Sequence, residues 1–365
     1  MSLKGANVVV VGAGCVGANV AYRLAERGAA VTVLDAGAPG AGTSGASFAW
    51  TNSFNKTPRG YHDLNVASME EHGLLAKELG GGWLHQEGAL AWEEGPAGLA
   101  RLGQAVDRLA GWGYAVERIS PGQARELEPD LRIAPGVAQV VWTPGEGYVE
   151  AVPFIGALLA EAARRGARVL RGRRVTGVMR SGARVRGVTT ESGDRVEADW
   201  VVDCAGVAMD EVARLAGVSI PIDRVPGRLI YTEPVAATLR RPIHAPGCHF
   251  RPDGGGRIVL AEGAHDQVWA EAAPLWPPER SLAAVAAHLP ALERARVEAT
   301  RVGVRPMPRD ERPMVGGIPG LEGFYVVVSH SGVTLGPLWG RIAAAELLDG
   351  VLDPRLIPYR PTRFL

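Results

Sequence analysis

The sequence predicts an α/β fold that combines a parallel sheet, covered by helices, with an antiparallel sheet. The first observation is a strand–turn–helix–strand unit within residues 8–35. The second is a pair of later apolar strands at 201–202 and 325–328, each followed by small or polar residues. The third is a hairpin pattern, in which 248–251 and 257–261 flank a Pro-Asp-Gly-Gly-Gly turn. Helical pieces are predicted at 266–269 and 282–288.

Bulk properties exclude several classes of protein. The chain has 365 residues, which is long for one simple core and fits two interleaved domains. Lys+Arg and Asp+Glu both number 39, so zero net charge predicts no attraction to nucleic acid or an anionic membrane. The cysteines Cys15, Cys204 and Cys248 are far apart, which predicts neither disulfides nor a metal site. No apolar run approaches about 18 residues, so we expect a soluble cytoplasmic protein without a transmembrane segment.

The amino-terminal unit begins with the β-branched run Val8–Val11, which is typical of a buried parallel strand. A glycine-rich turn follows directly, and its residues are Gly12, Ala13, Gly14, Cys15, Val16 and Gly17. A helix is predicted over 18–27, ending at Gly28, and a second strand over 31–34 ends at Asp35. This order predicts a Rossmann-type dinucleotide site.

Each part of the turn has a physical role at such a site. Gly12 allows the tight turn, Gly14 lets the backbone approach a pyrophosphate, and Gly17 lets helix and strand pack closely. The helix amino terminus offers free N–H groups to the phosphates. Asp35 is placed to accept hydrogen bonds from a ribose 2′-hydroxyl, which disfavours NADP. The motif alone leaves FAD and NAD as alternatives.

The segment after Asp35 differs from that of a typical dinucleotide dehydrogenase. Instead of another strand–helix unit, residues 36–47 form a loop rich in glycine and hydroxyl groups. Such a loop can follow an extended cofactor away from its adenosine. The cofactor contacts predicted in it are Ala36, Gly42, Thr43, Ser44 and Ser47.

Four separated blocks of sequence carry a family resemblance. They are 8–35 with 42–44, then 147–178, then 198–206, and finally 303–316 with 329–337. Their order and spacing resemble the flavoprotein family of D-amino-acid oxidase, glycine oxidase and sarcosine oxidase. The resemblance spans nearly the whole chain. It implies a discontinuous FAD-binding domain at 1–47, 146–220 and 300–365, interleaved with an antiparallel-sheet substrate domain at 48–145 and 221–299.

The resemblance also implies where the cofactor lies. A backbone group near Val175, on a strand predicted over 169–178, would contact the adenine. Ala205 and Gly206 would allow close approach at the end of a strand. A helix predicted over 338–348 would direct its amino terminus at the flavin pyrimidine ring, preceded by the contacts Ser331, Gly332, Val333 and Thr334. Sarcosine oxidases of this family attach their flavin to a cysteine near the fourth block. Residues 301–316 of this chain contain no cysteine, so the resemblance implies non-covalent FAD.

The chemistry that the resemblance implies is oxidation of a small amine or amino acid by hydride transfer to flavin N5, giving an imine that hydrolyses. Candidate substrates are a D-amino acid, glycine, sarcosine, or an N-carboxyalkyl imino acid such as an iminodiacetate or opine. The electron acceptor is O2 or another molecule, and the oligomeric state and any heteromeric partner stay open. The alternatives are an NAD-dependent dehydrogenase and a flavin-bearing subunit of a multi-subunit dehydrogenase.

The substrate site departs from the relatives. By alignment, His330 stands where glycine oxidase-like proteins carry an arginine, and Thr334 where sarcosine oxidase-like proteins carry a lysine. His249 stands where the former have a tyrosine. Arg305 has a family counterpart beside the flavin, with a salt bridge to Asp310 or Glu311 as the structural alternative. The residues predicted to serve the substrate site are His330, His249, Arg305 and Asn52.

Overall fold

The computed structural model describes residues 5–261 and 277–365. Their strands are β1 (Asn7–Val11), β2 (Ala30–Leu34), β3 (Trp50–Thr51), β4 (Leu84–His85), β5 (Ala89–Ala91), β6 (Glu117–Ile119), β7 (Val140–Thr143), β8 (Gly147–Val149), β9 (Arg168–Leu170), β10 (Val175–Ser181), β11 (Arg184–Thr190), β12 (Arg195–Glu197), β13 (Trp200–Asp203), β14 (Ile222–Thr232), β15 (Ile243–Ala245), β16 (Cys248–Asp253), β17 (Arg257–Ala261), β18 (Val297–Pro308), β19 (Met314–Ile318) and β20 (Leu321–Val328). Their helices are α1 (Cys15–Glu26), α2 (Arg59–Leu79), α3 (Gly95–Gly111), α4 (Pro121–Leu127), α5 (Ala151–Arg164), α6 (Met209–Leu215), α7 (Pro278–Ala286) and α8 (Gly332–Asp349).

The first sheet has the predicted parallel centre. Its strand order is β10-β11-β20-β13-β1-β2-β9, with β12 beside β11 and β19 beside β20. β1 lies between β2 and β13 and pairs with both in parallel. Val8 to Val11 are buried because helices cover both faces, with α1, α5 and α8 in one core cluster and α6 in the other. The α/β class predicted from the sequence is therefore confirmed.

Two predicted elements of this sheet have different bounds. The single strand predicted over 169–178 is wrong: β9 pairs in parallel with β2, whereas β10 pairs antiparallel with β11. Gly172 separates them with a left-handed φ of +61°, which redirects the chain. The helix predicted over 338–348 begins six residues earlier, at Gly332, because Pro337 is accommodated near its amino terminus.

The second sheet has the order β18-β14-β17-β16-β15-β5-β7-β6. The predicted hairpin is confirmed, since β16 and β17 pair antiparallel from His249 opposite Ala261 to Asp253 opposite Arg257. The pair of β15 and β5 is parallel. A short third sheet has the order β3-β8-β4. Along the chain, its strands lie between strands of the two larger sheets.

The predicted domain boundary at residue 300 falls inside β18. This strand pairs with β14 from Val297 opposite Thr232 to Pro308 opposite Ile222, so residues 300–308 belong to the second sheet. The remaining division into two domains stays a prediction.

The helix predicted at 282–288 overlaps α7, and the piece predicted at 266–269 lies outside the described residues. Across 5–261 and 277–365, no helix has the length and apolar character to cross a bilayer.

Candidate active site

A cavity of about 500 Å³ is lined by residues of both large sheets. The first sheet contributes the segments that follow β1, β2, β13 and β20, whereas β14, β15, β16, β17 and β18 contribute from the second. Its size is in the range of cofactor and ligand sites. In a doubly wound sheet, the carboxyl ends of the parallel strands are where ligands bind.

The glycine-rich turn forms one end of the cavity. Gly12 has a φ of +102°, and a Cβ there would lie 2.4 Å from the carbonyl oxygen of Cys204. A Cβ on Gly17 would lie 2.0 Å from the carbonyl oxygen of Gly12. Both positions therefore require glycine. The Asp35 carboxylate stabilises the turn, because it accepts hydrogen bonds from the N–H groups of Ala13 and Gly37, both at 2.7 Å.

Two helices begin at this cavity. α1 starts after Gly14, and the Cys15 N–H donates to Ser44 Oγ at 3.0 Å. α8 starts after Ser331, and no side chain caps it. Helix amino termini carry positive partial charge and unsatisfied N–H groups, which favour anionic ligand groups. A pyrophosphate beside α1 and an electron-rich ring beside α8 would fit this arrangement.

Several side chains that line the cavity have buried polar atoms without a hydrogen-bond partner in the described part of the chain. These atoms are Trp50 Nε1, Asn52 Oδ1, His244 Nε2 and Ser329 Oγ. Buried polar atoms in proteins nearly always have partners. A bound molecule with several donors and acceptors would supply them.

A pair of histidines lies on the second-sheet side. His244 of β15 and His249 of β16 are cross-strand neighbours, and their Nδ1 atoms are 2.7 Å apart. Such a contact needs one proton between the two nitrogen atoms. The His244 ring lies 3.8 Å from the Trp50 ring, centroid to centroid. Burial lowers the pKa of His244 well below its ordinary value, so this imidazole is neutral near pH 7.

Most of the predicted site residues line this cavity together. The lining includes Gly12, Gly14, Cys15, Val16, Asp35, Gly42, Thr43, Ser44, Ser47, Asn52, Ala205, Gly206, His249, Arg305, His330, Ser331, Gly332, Val333 and Thr334. Ala13, Gly17, Ala36 and Val175 lie outside the lining: Ala13 is buried under the turn, Gly17 packs on Gly12, Ala36 is exposed, and Val175 begins the more distant β10. Their predicted cofactor contacts stay predictions.

Arg305 faces the cavity from β18. Its guanidinium lies 3.4 Å from the carbonyl oxygens of Val225 and Pro226. Of its two alternative salt-bridge partners, Asp310 instead pairs with Arg363, with Nε 2.7 Å from Oδ2, whereas the pairing with Glu311 stays untested. This geometry favours a place in the cavity wall for Arg305.

Among the lining residues that the sequence did not predict, three carry a basic or imidazole side chain: Lys56, Arg228 and His244. All three are buried. Arg228 and His244 lie on strands whose register the sequence did not determine. Lys56 follows β3 in an irregular segment, and nothing in its neighbourhood distinguishes it from a surface lysine. Burial of Lys56 and Arg228 is unusual for these residue types.

The fold and the site define a class: a dinucleotide-dependent oxidoreductase with an antiparallel sheet over its cofactor cavity. The profile of the FAD dependent oxidoreductase family, DAO, matches residues 7–346, and the chain belongs to this family. Its cofactor is therefore FAD, which excludes the NAD alternative. It is an FAD-dependent oxidoreductase. The part of the chain in 5–261 and 277–365 has no cluster of three or more His, Cys, Asp or Glu suited to a metal ion.

The chain is similar to several known proteins. It is 28% identical to glycine oxidase of Geobacillus kaustophilus (strain HTA426) over 378 residues, covering 98% of this chain and 97% of that protein. It is 25% identical to mitochondrial sarcosine dehydrogenase of Mus musculus over 387 residues, covering 98% of this chain and 41% of that longer protein. The crystal structure of glycine oxidase from Geobacillus kaustophilus superposes with a TM-score of 0.85 at 24% identity, covering 99% of this chain and 100% of that one.

Proposed function

We propose that this protein oxidises a small amine that carries at least one carboxylate. The candidates are a D-amino acid, glycine, sarcosine, and an N-carboxyalkyl imino acid such as an iminodiacetate or opine. The observation that carries the proposal is the charge of the cavity lining. Lys56, Arg228 and Arg305 line it, whereas Asp35 is the sole acidic residue among the described lining residues.

Asp35 and the basic side chains are carried by different elements of the fold. Asp35 follows β2 at the glycine-rich turn, and its carboxylate accepts hydrogen bonds from backbone N–H groups there. Arg228 and Arg305 lie on the paired strands β14 and β18, and Lys56 follows β3. Lys56 and Arg228 are buried and Arg305 is half-buried, and basic groups in such a low-dielectric cavity attract anions strongly. A carboxylate on the substrate is the complementary group for an amine oxidoreductase.

Bound FAD supplies the acceptor, at N5, for the hydride that leaves the substrate carbon, and the resulting imine hydrolyses. The protein residues have the task of binding and orientation. Asn52, His249 and His330 line the same cavity and present polar groups toward a substrate. His244, which burial keeps neutral near pH 7, adds no positive charge beside the substrate nitrogen.

We propose that FAD is held without a covalent bond. Cys15 and Cys204 line the cavity, and both are buried. Burial raises the pKa of the Cys15 thiol to about 12 and that of Cys204 well above its ordinary value. The thiolate is the nucleophilic form of cysteine, so neither is prepared for attachment. Acid precipitation should release the yellow cofactor into the supernatant; flavin that stays with the precipitated chain would contradict this.

The proposed substrate class is tested by anaerobic mixing of the FAD-loaded protein with a panel of amines, followed by the visible absorbance of oxidised flavin. We expect bleaching by carboxylated amines and none by their decarboxylated analogues. Equal bleaching by both sets would contradict the proposal. Admission of oxygen then identifies the electron acceptor: rapid recovery of the absorbance indicates an oxidase. Slow recovery indicates a dehydrogenase, or a subunit that passes electrons to a partner.

A further inference from the structure

We propose that Glu146, which does not line the cavity, is a positioning residue that holds residues 52–56 as a wall of the substrate pocket. The inference rests on the proposed function, because it concerns the same pocket. Asn52, Asn55 and Lys56 of this segment line the cavity. The segment belongs to no helix or strand, so its shape depends on other contacts.

The Glu146 carboxylate supplies those contacts from behind the wall. Its side chain is completely buried in the turn between β7 and β8. Oε1 accepts hydrogen bonds from the N–H groups of Ser53 at 2.8 Å and Phe54 at 2.7 Å. The same oxygen accepts from Tyr114 Oη at 2.8 Å, and Oε2 accepts from Thr143 Oγ1 at 3.2 Å. One carboxylate thus satisfies two successive backbone donors of the segment.

The segment is also held on its other side. Ser53 Oγ lies 2.7 Å from Nδ1 of His62 and donates to the His62 carbonyl oxygen at 3.0 Å. The N–H of Lys56 donates to the Ser53 carbonyl oxygen at 3.2 Å, which closes a turn. Ser53 is therefore the fixed point of the segment, between Glu146 on one side and α2 on the other. A shift of Ser53 would move Asn52 and Lys56 together.

Aromatic rings enclose this polar contact. The His62 ring lies 5.0 Å from the Trp112 ring and 4.9 Å from the Tyr114 ring, centroid to centroid. Water is thereby kept from the hydrogen bonds, and a buried backbone donor that loses its acceptor has no solvent substitute. Loss of the Glu146 acceptor consequently favours a rearranged segment, with the substrate-facing side chains displaced.

The distinction between a positioning role and a general structural role is testable with matched variants. Glu146→Leu removes both acceptors, and Glu146→Asp withdraws the carboxylate by one methylene. Glu146→Gln keeps one carbonyl oxygen for Ser53 and Phe54 and serves as the rescue. Thr143→Val is the control, because it removes a hydrogen bond to the same carboxylate on the side away from the segment.

For FAD-loaded protein, we expect Glu146→Asp and Glu146→Leu to raise KM for a carboxylated amine about tenfold, with kcat changed less. Glu146→Gln and Thr143→Val should stay near the wild-type KM. Amide hydrogen exchange at residues 53 and 54 should accelerate in the first pair only. Should Glu146→Leu fail to fold, Glu146→Asp carries the same comparison. Wild-type KM and exchange in Glu146→Asp, or an equal rise of KM in Thr143→Val, would overturn the proposal.

A second measurement separates this inference from the proposed function. Acetate binding, followed through the perturbation of flavin absorbance, needs no turnover. If no amine bleaches the wild-type flavin, the proposed substrate class fails, whereas acetate affinity and hydrogen exchange still test Glu146. We expect acetate to bind about tenfold more weakly to Glu146→Asp than to Glu146→Gln. Equal affinities would count against Glu146 alone.

Discussion

Nε2 of His72 donates a hydrogen bond to the carbonyl oxygen of Val333 over 2.9 Å, and this bond replaces one that α8 lacks. Pro337 has no N–H, so the carbonyl four residues earlier has no helical donor. The neighbouring N–H of Leu338 donates to Ser68 Oγ at 3.2 Å. His72 and Ser68 of α2 therefore compensate for Pro337. The proline lies in the amino-terminal part of α8, and the first residues of this helix line the cofactor cavity.

Replacement of His72 tests this compensation. His72→Leu should lower the free energy of unfolding by about 1–3 kcal/mol, because the buried carbonyl of Val333 loses its stronger donor and keeps only the Cys15 thiol at 3.9 Å. His72→Gln, whose amide can donate, should lose less. Denaturant unfolding of the FAD-loaded proteins at neutral pH measures both. Equal stabilities of the two variants would show that the hydrogen bond is unimportant.

The same histidine should make stability depend on pH. Burial lowers the pKa of His72 to about 4. The unfolded chain takes up this proton below about pH 6.5, so protonation favours unfolding. The stabilisation is present above pH 6.5 and is lost as the pH falls toward 4. The stability of the wild type relative to His72→Gln should decrease by up to about 3 kcal/mol across this window. Parallel pH profiles would contradict the assignment.

Gly12 should tolerate no side chain. In Gly12→Ala, the methyl group would lie 2.4 Å from the Cys204 carbonyl oxygen at a φ of +102°. We expect loss of bound FAD and a lower Tm, measured by absorbance and thermal unfolding. Gly103→Ala is the control, because a Cβ there meets no atom within 4 Å and lies inside α3. It should keep FAD and gain about 0.5–1 kcal/mol from helix propensity. Retention of FAD by Gly12→Ala would contradict the close approach of residue 12 to the Cys204 carbonyl oxygen.

The basic lining should determine substrate preference. Lys56→Met and Arg228→Met should each lower kcat/KM for a carboxylated amine about 10- to 100-fold, because a charge-assisted hydrogen bond is lost. The exposed Arg59, paired with Asp63 at 3.8 Å, provides the control Arg59→Met, which should change little. Steady-state kinetics with FAD-loaded protein checks this. An unchanged kcat/KM in both cavity variants would remove the basis for a carboxylated substrate.

The sequence by itself determined the amino-terminal unit of the cofactor half of the molecule. Val8 to Val11, the glycines at 12, 14 and 17, and Asp35 lie within one local unit, whose spacing is imposed by contacts between near neighbours in the chain. The hairpin of β16 and β17 was predictable for the same reason, since its turn lies between its strands. Local chemistry suffices for such features.

Only the tertiary structure decided what surrounds the substrate. Lys56 and Arg228 are separated by more than a hundred residues, and His244 meets His249 through strand register. The bond from Glu146 to Ser53 joins residues 93 positions apart. No local pattern encodes these contacts, because they depend on how the two sheets pack. The tertiary structure was therefore needed to identify the basic residues of the cavity and the hydrogen bond between Ser53 and Glu146.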